Sequence, residues 1–231
     1  MTPKRIIFLA SGIFAAIGIL VSVVIIAING GFSGSGGPSI FNPPTSKDLW
    51  TIGSNIEDGL NLTYSVVTAT GEMSNLTDSV VSMKFHDLND KWNVTFAIKN
   101  GSTVKEINMN LTKNQLLRKN PITANNEKLI SPVETSILKI RDIAREPKYL
   151  VIGAVWDKIT TSSSTVDERI ASKDSISTPA GPFNVYALEY QMGNSTSRIY
   201  LDKDFPLPIK AKVYDENDKI LYQYELQSIS R

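Results

Sequence analysis

The sequence predicts an α+β fold. An N-terminal transmembrane helix precedes a curved antiparallel β-sheet, a half-barrel, with one main covering helix over about residues 132–146. Three observations lead there. The chain opens on a long run without charge. Most of the remainder alternates apolar and polar residues with period two. A single segment beyond the opening run switches to helical spacing.

Composition bounds the function classes. The 231 residues are 42% hydrophobic and 20% charged, which is globular composition. With a net charge of +1 there is no electrostatic support for a nucleic-acid surface. Cysteine is absent, which removes disulfides, thiol catalysis, cysteine-ligated metals and a lipid-modified cysteine anchor. No cofactor motif is found.

From Ile6 to Ile28 no residue is charged. As a helix this run of about 23 residues measures about 35 Å, enough to cross a hydrocarbon core of about 30 Å. Lys4 and Arg5 precede it, and the next basic residue is Lys47. The positive-inside rule puts residues 1–5 in the cytoplasm and everything after the span outside. The run is too long for the apolar core of a cleaved signal peptide, so a retained, single-pass signal-anchor in the cell membrane is expected over 6–28. Residues 29–46 form a Gly/Ser/Pro linker, and 47–231 one extracytoplasmic domain.

In that domain Leu60, Leu62, Tyr64 and Val66 share one face of a strand, as do Val81, Met83 and Phe85 in the next. Trp92, Val94, Phe96 and Ile98 point inward against outward Asn93, Thr95 and Lys99, and Ile107, Met109 and Leu111 follow. Asn89-Asp90 and Asn100-Gly101 mark hairpin turns. In "SPVETSILKIRDIAREP", Ser131 and Glu134 make a capping-box pattern and Pro132 suits a first helical position. Val133, Ile137, Ile140 and Ala144 make the apolar stripe, and Pro147 stops the helix. Later strands place Ile209, Ala211 and Val213, then Ile220, Tyr222, Tyr224 and Leu226, on inward rows.

The most patterned stretch is "TPAGPFNVYALEY", Thr178 to Tyr190. Its Pro-Ala-Gly-Pro turn feeds a strand with apolar groups in both rows, the mark of a central strand covered on both sides. With "GAVWDKI" before it and "RIYLDKDFPLPIKAKVYD" after it, this stretch resembles the C-terminal half of the LolA/LolB-like lipoprotein-carrier superfamily and its exported relatives. Gly153, Trp156, Thr178, Gly181, Phe183, Pro208, Ile209 and Lys210 carry the resemblance, which covers about 80 residues. It implies an incomplete antiparallel barrel under a helical lid, with an apolar concavity that holds acyl chains. The expected lining residues are Tyr64, Phe96, Ile137, Ile140 and Trp156. A membrane tether departs from the soluble carriers of that superfamily.

Six Asn-x-Ser/Thr sequons occur, at Asn61, Asn75, Asn93, Asn100, Asn110 and Asn194. All fall on polar strand positions or in loops, so N-glycosylation is expected, as on an archaeal or eukaryotic cell surface. The single histidine, His86, reads as an exposed strand residue beside Asp87. The acidic runs at 87–90 and 215–218 lack the glycine and distal glutamate of a calcium loop and read as turns. The sequence therefore points to a non-enzymatic extracytoplasmic binding or envelope-scaffold module. Its expected partners are the membrane, through 6–28, a lipid or other hydrophobic ligand, and envelope proteins. The alternative is an exported hydrolase working through Ser, Lys and carboxylate groups.

Overall fold

The computed structural model describes residues 44–160 and 164–231. The expected cytoplasmic segment 1–5, the expected span 6–28 and the expected linker up to residue 43 lie outside the described residues. Among the described residues no helix is long and apolar enough to cross a membrane. Thr45 and Ser46, assigned to the linker by sequence, belong to a capped 3-10 turn: the Asp48 carboxylate accepts from the Thr45 backbone N–H at 2.8 Å.

The N-terminal alternation folds into a meander of β2 (Asn61–Ala69), β3 (Ser79–Asp87), β4 (Lys91–Asn100) and β5 (Thr103–Thr112). Cross-strand neighbours carry one apolar row straight through all four strands: Leu62 opposes Met83, Met83 opposes Phe96, and Phe96 opposes Ile107. A slip of one residue would expose that whole row, so burial sets the register. On the other face, the Thr63 and Ser82 hydroxyls lie 3.0 Å apart, and Asn93 donates to Asn110 at 3.1 Å. That face is a ladder of small polar groups. The turn between β4 and β5 is Gly101-Ser102, one residue later than the sequence signal, because Gly101 takes the positive φ of 57°.

The C-terminal strands are β7 (Val155–Thr160), β8 (Thr165–Thr178), β9 (Gly181–Met192), β10 (Ser195–Asp202), β11 (Lys210–Tyr214) and β12 (Ile220–Ser230). Pairing of β2 with β12 joins the two meanders into one ten-stranded curved antiparallel sheet, ordered β5-β4-β3-β2-β12-β11-β10-β9-β8-β7. A two-stranded ladder, β1 (Leu49–Trp50) with β6 (Lys148–Tyr149), stands apart. The fold is mostly β. In β9 the two-sided burial is real but local: Val185 and Ala187 are buried from one row, Leu188 and Tyr190 from the other.

The sheet order explains the cover. Strands β5 and β7 are consecutive apart from β6, yet they form opposite edges of the ten-stranded sheet. Their connection must cross a face, and it carries the helices. The helix expected over 132–146 is corrected in place and length. It is α1, Ala124–Glu134, followed by turns at residues 135–139 and a short α2, Ile140–Ile143. Thr123, not Ser131, caps the start, accepting from the Asn126 N–H at 3.4 Å. Pro132 lies in the last turn instead of the first. Its missing N–H leaves the Lys128 carbonyl without a helical donor, and the Asn75 side chain supplies one at 3.4 Å. Thr135 and Ser136 hydroxyls then donate to the Ser131 and Pro132 carbonyls at 2.8 and 2.6 Å, which ends the helix. The apolar stripe survives the change: Val133, Ile137, Leu138, Ile140 and Ala144 are all buried in the core.

Candidate functional site

The packed core between the sheet and its helical cover is built from the apolar row of β2–β5, a row of tyrosines and the stripe of α1 and α2. Tyr64, Phe96, Ile137, Ile140 and Trp156 all belong to this one buried cluster. Trp156 is stacked on Trp50 at 5.8 Å with its indole N–H donating to the Tyr149 carbonyl at 2.8 Å.

Tyr64 meets Tyr224 edge-on at 5.7 Å, and Tyr224 stacks on Tyr222 at 5.9 Å. Burial pushes all three hydroxyls well above the ordinary tyrosine range. The Tyr64 side chain is 0% exposed and its hydroxyl has no hydrogen-bond partner among the described residues. The Trp92 indole N–H is likewise buried without an acceptor among the described residues. Each such group costs about 1–3 kcal/mol while it stays unpaired.

The cover is tied down by charge. Glu134, 9% exposed, takes Arg141 at 3.1 Å and is also bonded by Arg118. Arg118 reaches on to Glu127 through two contacts, at 2.5 and 3.1 Å. The Arg141 guanidinium also donates to the Leu116 carbonyl at 3.3 Å. This cluster joins the two helical pieces to each other and to the segment after β5.

A second buried acid went unnoticed in the sequence. Glu168 of β8 is 4% exposed and opposes Asp157 across the ladder with β7. Burial first, then the Asp157 charge, raises its carboxyl to about 7, while Lys139 above it acts the other way. Tyr190 beside it is pushed up to about 12, mainly by burial. The signal was available: in "TVDERIASK", Glu168 shares the alternation of Val166 and Ile170, so it falls on the inward row.

The remaining candidates disperse. His86 is exposed and its Nδ1 meets Asp58 at 2.9 Å, not Asp87. The Asp215 carboxylate accepts from the backbone N–H groups of Asn217 and Lys219 at 2.8 and 2.9 Å, as a turn requires. Of the sequon residues, Asn75, Asn100 and Asn194 are exposed, whereas Asn61, Asn93 and Asn110 are half-buried. Asn75 and Asn100 line a cavity of about 340 Å³ with Leu76, Ile98 and Leu129, at the end of β4 beside α1.

No family model matches the chain. No curated protein matches it either. Among solved structures it is similar to the crystal structure of MucB, with a TM-score of 0.37 and 10% sequence identity over 75% of this chain. The match spans about half of the MucB chain, 53%.

Proposed function

We propose that the chain is a non-enzymatic, extracytoplasmic binding or envelope-scaffold module, held on the cell membrane by segment 6–28 with its N-terminus in the cytoplasm. In this reading the sheet is a half-barrel, and a hydrophobic ligand such as a lipid tail lies between it and the two-piece cover. The observation that carries the reading is the Tyr64 hydroxyl, buried and without a hydrogen-bond partner among the described residues. A ligand with an apolar chain and a polar head recovers both terms. Its chain takes the place of side-chain contacts on the Leu62–Phe96 row, and a head-group oxygen accepts from Tyr64.

The cover is the part that makes room. Its two helical pieces meet at the turn of residues 135–139, and the Glu134 cluster is the hydrogen-bonded hinge side. The uncharged run and the basic residues before it support membrane attachment in this reading. The buried tryptophans provide a test. Titrating the full chain with a brominated fatty acid is expected to quench its tryptophan fluorescence saturably. Quenching no stronger than that of free tryptophan at the same concentrations would contradict the reading.

A further inference from the structure

The pairing of β8 with β9 stops early. The last opposed residues are Arg169 and Glu189, although β8 continues back to Thr165 and β9 continues on to Met192. Beyond that point β8 follows β7, from Asp157↔Glu168 to Thr160↔Thr165. Strand β9 instead follows β10, from Ser197↔Tyr190 to Ser195↔Met192. The sheet forks, and the two strand edges that face each other across the fork have no ladder partner among the described residues.

A cavity of about 740 Å³ occupies the fork, lined by Val166, Asp167 and Arg169 on one side and Tyr190, Gln191 and Met192 on the other. A strand in a sheet takes roughly 3.3 Å of length, 4.8 Å of width and 10 Å of depth per residue, or roughly 160 Å³. The fork therefore has the volume of a four- to five-residue extended segment. Its far wall is preformed. The Gly193 turn packs on the Glu216–Asn217 turn so closely that a Cβ on Gly193 would lie 2.8 Å from the Glu216 carbonyl oxygen. Asn194 locks the two turns, its backbone N–H donating to Asp218 at 2.8 Å.

Charge and polarity narrow the occupant. Val166, Tyr190 and Met192 point to one face and make an apolar floor. Asp167 already lies 3.7 Å from Lys158, and Glu189 lies 2.7 Å from Arg198. Arg169, at the vertex, and Glu216, at the far wall, have no ion-pair partner among the described residues. We infer that this fork is a strand-addition site for an extended segment of a partner protein. That segment seats an apolar side chain on the Val166–Tyr190–Met192 floor. It presents an acidic side chain to Arg169 and a basic one to Glu216. Main-chain hydrogen bonds to both edges give the affinity, and the alternate side chains give the selectivity.

The test uses the full chain in detergent micelles and a blocked pentapeptide, acetyl-Val-Glu-Val-Lys-Val-amide. Hydrogen exchange should slow at least about tenfold at amides in 165–168 and 190–192 when the peptide is present. Methylating the peptide nitrogens should abolish that protection, and Arg169→Glu should weaken binding up to about fivefold, as for an exposed ion pair. Absence of protection overturns the proposal. Protection that survives N-methylation also overturns it, because the site would then be a pocket and not a ladder. Protection that arises without peptide as protein concentration rises overturns it in favour of self-association. Fatty-acid quenching measured on the same sample reads the covered face separately, so either site can fail without the other.

Discussion

Arg141 stands 3.1 Å from the Glu134 carboxylate and so joins α2 to the end of α1 across the turn that divides the cover. Glu134 is the shared acceptor for Arg141 and Arg118, and it is nearly buried. Glu134→Ala leaves two guanidinium groups without their common partner. The expected loss is about 3 kcal/mol, at the lower end for a buried pair because both arginines keep some solvent. Urea unfolding monitored by tryptophan fluorescence measures it. A shift below about 0.5 kcal/mol would show that the cluster does not hold the cover.

Glu168 makes stability fall as pH rises. Its folded carboxyl titrates near 7, above its ordinary value of 4.5, so between these values the folded state binds more protons than the unfolded state. The contribution is fully present below about pH 4.5 and is lost as pH passes 7. Glu168→Gln keeps the shape and removes the titration. Its melting temperature is expected to exceed that of the wild type at pH 8 and to match it more closely at pH 5. Equal differences at both values would assign the effect to packing.

Tyr64→Phe separates the cost of the orphan hydroxyl from its use. Without ligand the variant should be as stable as the wild type or about 1 kcal/mol more stable, since an unpaired buried group is removed. With an amphiphile present it should bind more weakly, because the head group loses its donor. A variant destabilised by more than about 1 kcal/mol would mean that the hydroxyl is paired in the folded protein.

Asn93 and Asn110 oppose each other in the β4–β5 ladder, with the Asn93 amide donating to Asn110 at 3.1 Å. Two glycans cannot occupy that one contact. Glycopeptide mapping of the native protein is expected to find modification at the exposed Asn75, Asn100 or Asn194, and never at Asn93 and Asn110 of the same molecule. Joint occupancy of that pair would contradict the register.

The strand rows were legible because period two is a local property: Leu62, Tyr64, Val66, Trp92, Val94, Phe96 and Ile98 needed only their neighbours to be assigned inward. The helix boundaries were not. Pro132 looks like a first-turn residue by itself, and it is tolerated in the last turn because Asn75, distant in sequence, fills the carbonyl that it leaves free. The early end of the β8–β9 ladder likewise depends on which neighbour each strand follows, and no local pattern states that. Glu168 was readable from its parity, but its consequence came only from Asp157 across the ladder and Lys139 above. The same holds for Glu134. The sequence places it at a capping position, whereas its role depends on Arg118 and Arg141 converging from two other segments.

Native mass spectrometry of the full chain, released gently from detergent micelles, tests the proposed covered-face site most directly. The account predicts an added mass of a single amphiphile, reduced by Tyr64→Phe and released when Glu134→Ala loosens the cover. A wild-type chain that carries no added mass, and takes none up when offered fatty acid or phospholipid, would contradict it.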